Sequence, residues 1–411
     1  MHALLIKNTR PDANLHGGDN DPDRTYTFAC MSGGATRYYR EAEHNVFNRT
    51  RPASNQTLPY CETAPLSTDH DPRLTQVQTW LTTLPAELAL APETLQPASS
   101  DASFRRYFRI RAGARTAIIM DAPPPHEDVR PFLHVGDLLR ETGLNVPEIL
   151  AQAPDQGLLL LSDLGHDTYY QRIQAGLPDD QLQNLYREAL AALVRMQQAR
   201  TEGLSAYDRP RLADELELFP QWYVERHHGV QLDDKTATAI QHIFGLLSDA
   251  NAAQPPVLVH RDFHSPNLMV CDDPAFGPNP GILDFQDALA GPITYDLASL
   301  VMDARTTWEE PQQLDWAIRY WEMARAAGLP IHGDFADFHQ AYEWMSLQRN
   351  LRILGVFARL HHRDGKPVYL THIPRVNAYV RQVAQRYGVF KPLLRLLDRL
   401  DNREVQVGYT F

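Results

Sequence analysis

Between Val257 and Leu300 the chain reads VLVHRDFHSPNLMV, a turn-rich stretch and then GILDFQDALAGPITYDLASL, and no other region constrains the fold as tightly. The short apolar run VLVH reads as a buried strand that delivers His260, Arg261 and Asp262 into a loop. Asn267 follows five residues after Asp262, immediately before a second apolar run, LMV. A third run, GILDF, carries Asp284 near its end, and the intervening DDPAFGPNPG is dense in turn formers, so the last two runs are expected to pair as a hairpin. Whatever the rest of the chain does, it has to bring two carboxylates and a carboxamide together on one small β unit.

The surrounding pattern divides into three parts. Residues 1–70 have neither helical nor strand periodicity and are rich in Asn, Asp, Thr, Gly and Pro, which predicts a disordered extension without assigned function. From Asp71 to Asp163 a small β-rich lobe is expected. It opens on a helix whose Leu74, Val77, Trp80 and Leu81 recur at helical spacing. A polar turn over Ser99–Ser103, a strand, a turn at Ala112 and Gly113 and a strand ending at Asp121 follow. A helix through Phe132, Val135, Leu138 and Leu139 stops at Gly143, and two strands, VPEILAQ and Leu158–Leu161, lead into the polar connection SDLG. Residues 164–411 read as mostly helical around the β unit, giving an α+β fold of two lobes.

Composition narrows the functional classes. A net charge of −12 argues against a surface that tracks nucleic acid or an acidic membrane, and no apolar run reaches the roughly 18 residues that span a bilayer. Three cysteines, an odd number without metal-ligand spacing, point to a reduced compartment, the cytoplasm. The pairs His227–His228 and His361–His362 do not make a zinc site, because adjacent helical residues point apart and no third ligand is evident.

The loop chemistry is that of phosphoryl transfer. Hard oxygen donors such as Asn267 and Asp284 suit Mg²⁺, which must bridge the phosphates of a nucleotide. Asp262 is left to orient an acceptor hydroxyl and take its proton late in the reaction. His260 is expected to pack under the loop as scaffold. His264 is open between touching substrate and lying at the surface.

HRDFHSPN resembles the H-R-D-x-x-x-x-N catalytic loop of protein kinases, and DFQ their D-F-G element, with Gln286 in place of the glycine. No activation segment follows. The direct continuation DALAGPITYDLASL, together with LLLLSDLG, resembles the aminoglycoside phosphotransferase family of the kinase-like superfamily. That resemblance implies a two-lobed protein-kinase-like fold, ATP and Mg²⁺ as cofactors, a hinge at Leu161 and Asp163 whose backbone meets adenine, and Asp296 as a buttress of the catalytic loop. ASFRRYFRI, IIMDAPP and LQRNLRILGVFARL extend it towards the amino-sugar kinases of cell-wall recycling, which implies N-acetylmuramate or N-acetylglucosamine as acceptor. Aminoglycoside, choline and thiosugar acceptors remain alternatives within the superfamily.

One departure stands out. Kinases hold the nucleotide's phosphates with a strand lysine paired to a helix glutamate, but here Met120 falls at that place and no lysine occurs between residues 74 and 234. Either arginines, chiefly Arg105 and Arg106, supply the charge, or the chain is a pseudokinase that binds nucleotide without turnover. Retention of Asp262, Asn267 and Asp284 together favours the first. Downstream, Arg349, Arg352, Arg359 and Arg363 share one helical face, which would suit an anionic acceptor through Arg349 and Arg352, or would be a plain solvated face. Tyr342, Trp344 and Phe357 beside it could stack on a sugar but are expected in the core.

Overall fold

A computed structural model describes residues 71–100 and 104–402, and of the first 70 residues only the backbone of three short strands, β1 (Leu4–Leu5), β2 (Thr27–Ser32) and β3 (Ala35–Arg40). These pair antiparallel in the order β1-β2-β3; the extension expected over residues 1–70 otherwise lies outside the described residues. The chain divides into two compact units, Met1–Ala64 and Pro65–Phe411. Every residue singled out above for chemistry belongs to the second.

Helix α1 (Pro72–Thr82) begins where its sequence says it should. The Asp71 carboxylate accepts from the backbone N–H groups of Arg73 and Leu74 at 3.0 and 3.1 Å, and Pro72 occupies the first turn, where a missing N–H costs nothing. Its buried face is Leu74, Val77, Trp80 and Leu81, as the spacing predicts. Five antiparallel strands follow: β4 (Leu90–Ser100), β5 (Arg106–Ala112), β6 (Arg115–Asp121), β7 (Ile149–Ala153) and β8 (Leu158–Ser162), in the order β4-β5-β6-β8-β7. Helix α2 (Arg130–Glu141) lies between β6 and β7 in the chain.

Strand alternation assigns the two faces of this sheet. Phe108, Ile110, Ala117, Ile119, Leu158 and Leu160 form one core with α1. Met120, Leu159 and Leu161 belong instead to the core that includes α2 and the larger lobe. Strand β4 is absent from the sequence-based expectation because Pro92 and Pro97 break its pattern. The structure tolerates both prolines because β4 is an edge strand whose pairing with β5 is irregular between Ala91 and Gln96 and between Pro97 and Ser99.

The larger lobe carries α3 (Tyr169–Ala175), α4 (Asp179–Met196), α5 (Arg209–Leu216), a π-helical segment Phe219–His227 and α6 (Asp234–Ala252). Four short strands come next: β9 (Pro256–Val259), β10 (Leu268–Met269), β11 (Gly281–Ile282) and β12 (Leu289–Pro292). Helices α7 (Tyr295–Val301), α8 (Glu310–Ala326), α9 (Phe335–His362), α10 (Ile373–Ala384) and α11 (Lys391–Leu400) complete it. β10 and β11 pair antiparallel, which is the hairpin expected between Asn267 and Asp284, and β9 pairs with β12. The 28-residue α9 runs through the centre of the lobe and buries Leu347, Leu351 and Leu354. It approaches the segment before the π-helix so closely that a Cβ on Gly355 would come within 2.4 Å of the Leu218 backbone, so only glycine fits. The architecture is the expected α+β one, a small antiparallel-sheet lobe and a larger, mainly helical lobe. Among the described residues no helix is long and apolar enough to cross a membrane.

The start of α1 is fastened to the sheet by charge. Arg73 Nε donates to Asp121 Oδ1 at 2.6 Å, Arg106 donates twice to Asp121 Oδ2 at 2.9 and 2.6 Å, and Arg106 Nη1 pairs with Asp71 at 2.5 Å. Asp121 is fully buried, so removing its carboxylate takes the shared partner from two guanidinium groups, leaving Arg106 with Asp71 and Arg73 with Gln76 and the Gln156 carbonyl. Asp121→Ala is expected to lower unfolding stability by about 2 kcal/mol, below the roughly 3–5 kcal/mol of a fully buried pair because both arginines reach water. Urea unfolding measures it, and a loss below about 0.5 kcal/mol would contradict the assignment.

Candidate active site

The loop after β9 is held from below by one carboxylate. Asp296, fully buried in the first turn of α7, accepts from the backbone N–H of His260 at 2.7 Å and of Arg261 at 3.0 Å. Burial pushes its carboxyl up to about 6, against the pull of His260 and the two N–H groups. His260 is scaffold, as expected, with Nε2 2.9 Å from the Leu283 carbonyl and Nδ1 accepting from the Asp262 N–H at 3.3 Å. Arg261 sits at φ +76°, a conformation that costs a non-glycine residue free energy. Its guanidinium is anchored to Glu215 at 2.8 Å, and Glu215 also pairs with Arg352 at 3.1 Å.

This scaffold gathers the three residues picked out by spacing. Asn267 Nδ2 donates to the Asp262 carbonyl at 3.0 Å and to Asp284 Oδ2 at 3.3 Å. With Nδ2 so engaged, Oδ1 is the atom available to a cation. Asp284 has φ +64°, a second strained residue in the same site, and its Oδ1 accepts from Gln286 Nε2 at 2.8 Å. A carboxamide oxygen and a carboxylate fit a hard divalent ion whose other positions are filled by phosphate and water. His227 Nδ1 lies 3.4 Å from His362 Nε2, and among the described residues no group of three His, Cys, Asp or Glu side chains is placed to hold a metal ion.

Asp262 is half-buried in a field of positive charge. Its depth pushes the carboxyl up, but His264, Arg352, Arg349 and His260 more than offset this and hold it down to about 2. Burial pushes His264 down to about 4, with Arg305 and Arg349 adding to the shift and Asp303 and Asp262 opposing it. The imidazole is therefore neutral at pH 7, and the charge facing Asp262 there is that of the arginines. His264 is buried rather than superficial, with Nε2 4.0 Å from Asp262 Oδ1 and 3.4 Å from Arg305 Nη1.

The arginine face of α9 is not a solvated surface. Arg349 is 3% exposed; its Nη2 donates to Ser299 Oγ at 2.7 Å, while its buried Nε and Nη1 have no hydrogen-bond partner. Arg352 and Arg359 are half-buried, and only Arg363 is exposed, paired with Asp364. Tyr342 and Phe357 are core, and Trp344 packs on Tyr387 and Phe390.

Other sequence candidates fall elsewhere. Leu161 is within the β8 ladder, opposite Ile118 and Ile149, and is buried. The Asp163 carboxylate is taken up by Arg109 at 2.6 and 3.0 Å and by Thr116 at 2.6 Å, so it braces the connection between the lobes. Arg106 belongs to the Asp71–Asp121 cluster, whereas Arg105 Nη1 lies 4.0 Å from Asp284. The polar turn expected over Ser99–Ser103 falls largely on residues 101–103, outside the described residues. Sequence reasoning missed Glu215, Asp303 and Arg305. Asp303 accepts from the Ser265 N–H at 3.1 Å and from its hydroxyl, and its position directly after α7 was the available signal.

The family model described as phosphotransferase enzyme family matches residues 94–331. N-acetylmuramate/N-acetylglucosamine kinase of Pseudomonas aeruginosa is 45% identical over 338 residues, which cover 80% of this chain and 97% of that protein. The proteins of the same name from Pseudomonas putida and Neisseria meningitidis are 43% and 42% identical, covering 81% and 82% of this chain and 98% and 99% of their own length. Among solved structures, ADP-bound aminoglycoside phosphotransferase APH(2'')-Ib superposes with a TM-score of 0.52 at 12% identity, over 77% of this chain and 99% of that one. A choline/ethanolamine kinase family protein from Mesorhizobium loti gives 0.52 at 13% identity, over 80% and 99%. At such identities the likeness speaks for the fold, while the sequence matches carry the relationship: the chain belongs to the phosphotransferase enzyme family.

Proposed function

We infer that this protein is an ATP-dependent kinase that phosphorylates the anomeric hydroxyl of N-acetylmuramate and N-acetylglucosamine in the cytoplasm. The observation that carries the reading is identity of 42–45% over nearly the whole length of relatives bearing that name, joined to the convergence of Asp262, Asn267 and Asp284. Arg261, at φ +76°, is strained within the loop that carries Asp262, a cost that a chain that only bound nucleotide would have no need of there.

Each residue then has a part. Asn267 and Asp284 would hold Mg²⁺, which supplies charge neutralisation across the nucleotide's phosphates. Asp262, ionised and fixed by its loop, orients the C1 hydroxyl in line with the γ-phosphoryl group and receives its proton as the new bond forms. Adenine would meet the backbone of the connection between the lobes at Leu161 to Asp163. His264, Arg349 and Arg352 form the acceptor side. The buried Nε and Nη1 of Arg349, neither with a hydrogen-bond partner, suit an anion such as the lactyl carboxylate of N-acetylmuramate as charge-assisted donors.

Two outcomes follow. In a coupled ADP-release assay with MgATP, N-acetylmuramate and N-acetylglucosamine are expected to be turned over and aminoglycosides, choline and thiosugars are not, with the product's phosphorus coupled to C1 by NMR. No turnover of either amino sugar would overturn the reading. Because the Asp262 carboxyl is held down and His264 is neutral, kcat with N-acetylglucosamine should stay flat from about pH 5.5 to 8 and fall only below about pH 4. An acid limb centred near about pH 6.5 would contradict the assigned protonation states.

A further inference from the structure

The strand position that ordinarily carries the phosphate-holding lysine is filled by Met120, which is 1% exposed within the core. A cation nonetheless reaches the metal carboxylate, from the neighbouring strand. Arg105 immediately precedes β5, and Arg106 pairs in register with Asp121, the residue after Met120. As consecutive residues entering a strand do, the two arginines leave on different sides. Arg106 turns to Asp71 and Asp121. Arg105 turns to Asp284, with Nη1 4.0 Å from Oδ1, and its Nε lies 3.5 Å from Glu127 Oε2.

Glu127 stands in the connection that leads into α2, and its side chain is 19% exposed against 11% for Arg105. Its other oxygen, Oε1, accepts from the backbone N–H of Phe104 at 3.3 Å. One carboxylate therefore holds both the guanidinium of Arg105 and the backbone just before it. At 4.0 Å the guanidinium is an ion-pair neighbour of Asp284 and too far from it for a hydrogen bond.

We propose that Glu127 is a positioning residue that fixes Arg105 beside Asp284, and that this pair replaces the absent strand lysine and its helix carboxylate in holding the nucleotide's phosphates. The proposal rests on the kinase reading above. Its physical basis is preorganisation. An arginine side chain in solution samples many rotamers, and Glu127 removes part of that freedom before the nucleotide arrives. Nε faces Glu127 and Nη1 lies beside Asp284, so the guanidinium is held at the carboxylate next to which the phosphates would lie. The alternative is that Arg105 merely neutralises Asp284, in which case its removal would strengthen divalent-cation binding and leave nucleotide affinity unchanged or improved.

Calorimetric titration of the full-length protein with MgATP and with adenosine, without acceptor, separates these. Arg105→Ala is expected to weaken MgATP binding roughly tenfold or more, Glu127→Gln roughly three- to tenfold, and the double variant no more than Arg105→Ala alone, because Glu127 acts through Arg105. Adenosine, which has no phosphates, should bind all variants as it binds the wild type. Arg105→Lys, which keeps a cation within reach, should lose less than Arg105→Ala. Unchanged MgATP affinity in Arg105→Ala, additive losses in the double variant, or an equal loss for adenosine would each overturn the proposal. A wild-type protein that bound neither ligand would overturn the kinase reading, and this inference with it.

Discussion

The acceptance of two backbone N–H groups by the buried Asp296 carboxylate is the interaction on which the active-site loop depends. Those groups belong to His260 and Arg261, the residues on either side of a backbone reversal that puts Arg261 at φ +76°. Left unpaired, each would cost about 1–3 kcal/mol, comparable to the price of the strained conformation itself. Paired, they fix the direction in which Asp262 leaves the loop. The Arg261–Glu215–Arg352 chain then ties the loop that carries Asp262 to α5 and α9.

The small lobe is joined to this centre through stacking and charge. Phe132 of α2 stacks on Phe285, the residue after Asp284, with ring centroids 4.6 Å apart. Arg109 and Thr116 hold Asp163 where the chain passes between lobes. A displacement of the sheet is thereby felt at Asp284 through α2 and at the connection through β5 and β6. Phosphoryl transfer depends on alignment more than on covalent participation, so such bracing is where this fold contributes to rate.

The catalytic centre was legible in the sequence because its members are local. Asp262 and Asn267 share one loop, and a hairpin with obvious turn formers returns Asp284 to it, so spacing alone predicts their meeting. Helices α1 and α2 were legible from periodicity. What escaped is non-local. Glu127 and Glu215 reach Arg105 and Arg261 only because separate elements pack together, and no interval in the sequence encodes that. Strand β4 escaped because two prolines mask an edge strand that its neighbour stabilises from one side only. The arginine face of α9 was visible as a face, but not its depth: whether Arg349 meets water or the active site is decided by α7 packing against α9.

The account's central claim is that Asp262 serves the acceptor while Asn267 and Asp284 serve the nucleotide. Rapid-quench measurement of γ-phosphoryl transfer in a single turnover, with MgATP prebound and N-acetylmuramate saturating, tests it directly in Asp262→Asn. The claim predicts a transfer rate lowered at least about 100-fold with the dissociation constant of MgATP within about threefold of wild type. A transfer rate close to wild type, or a loss of nucleotide affinity as large as the loss in rate, would contradict it.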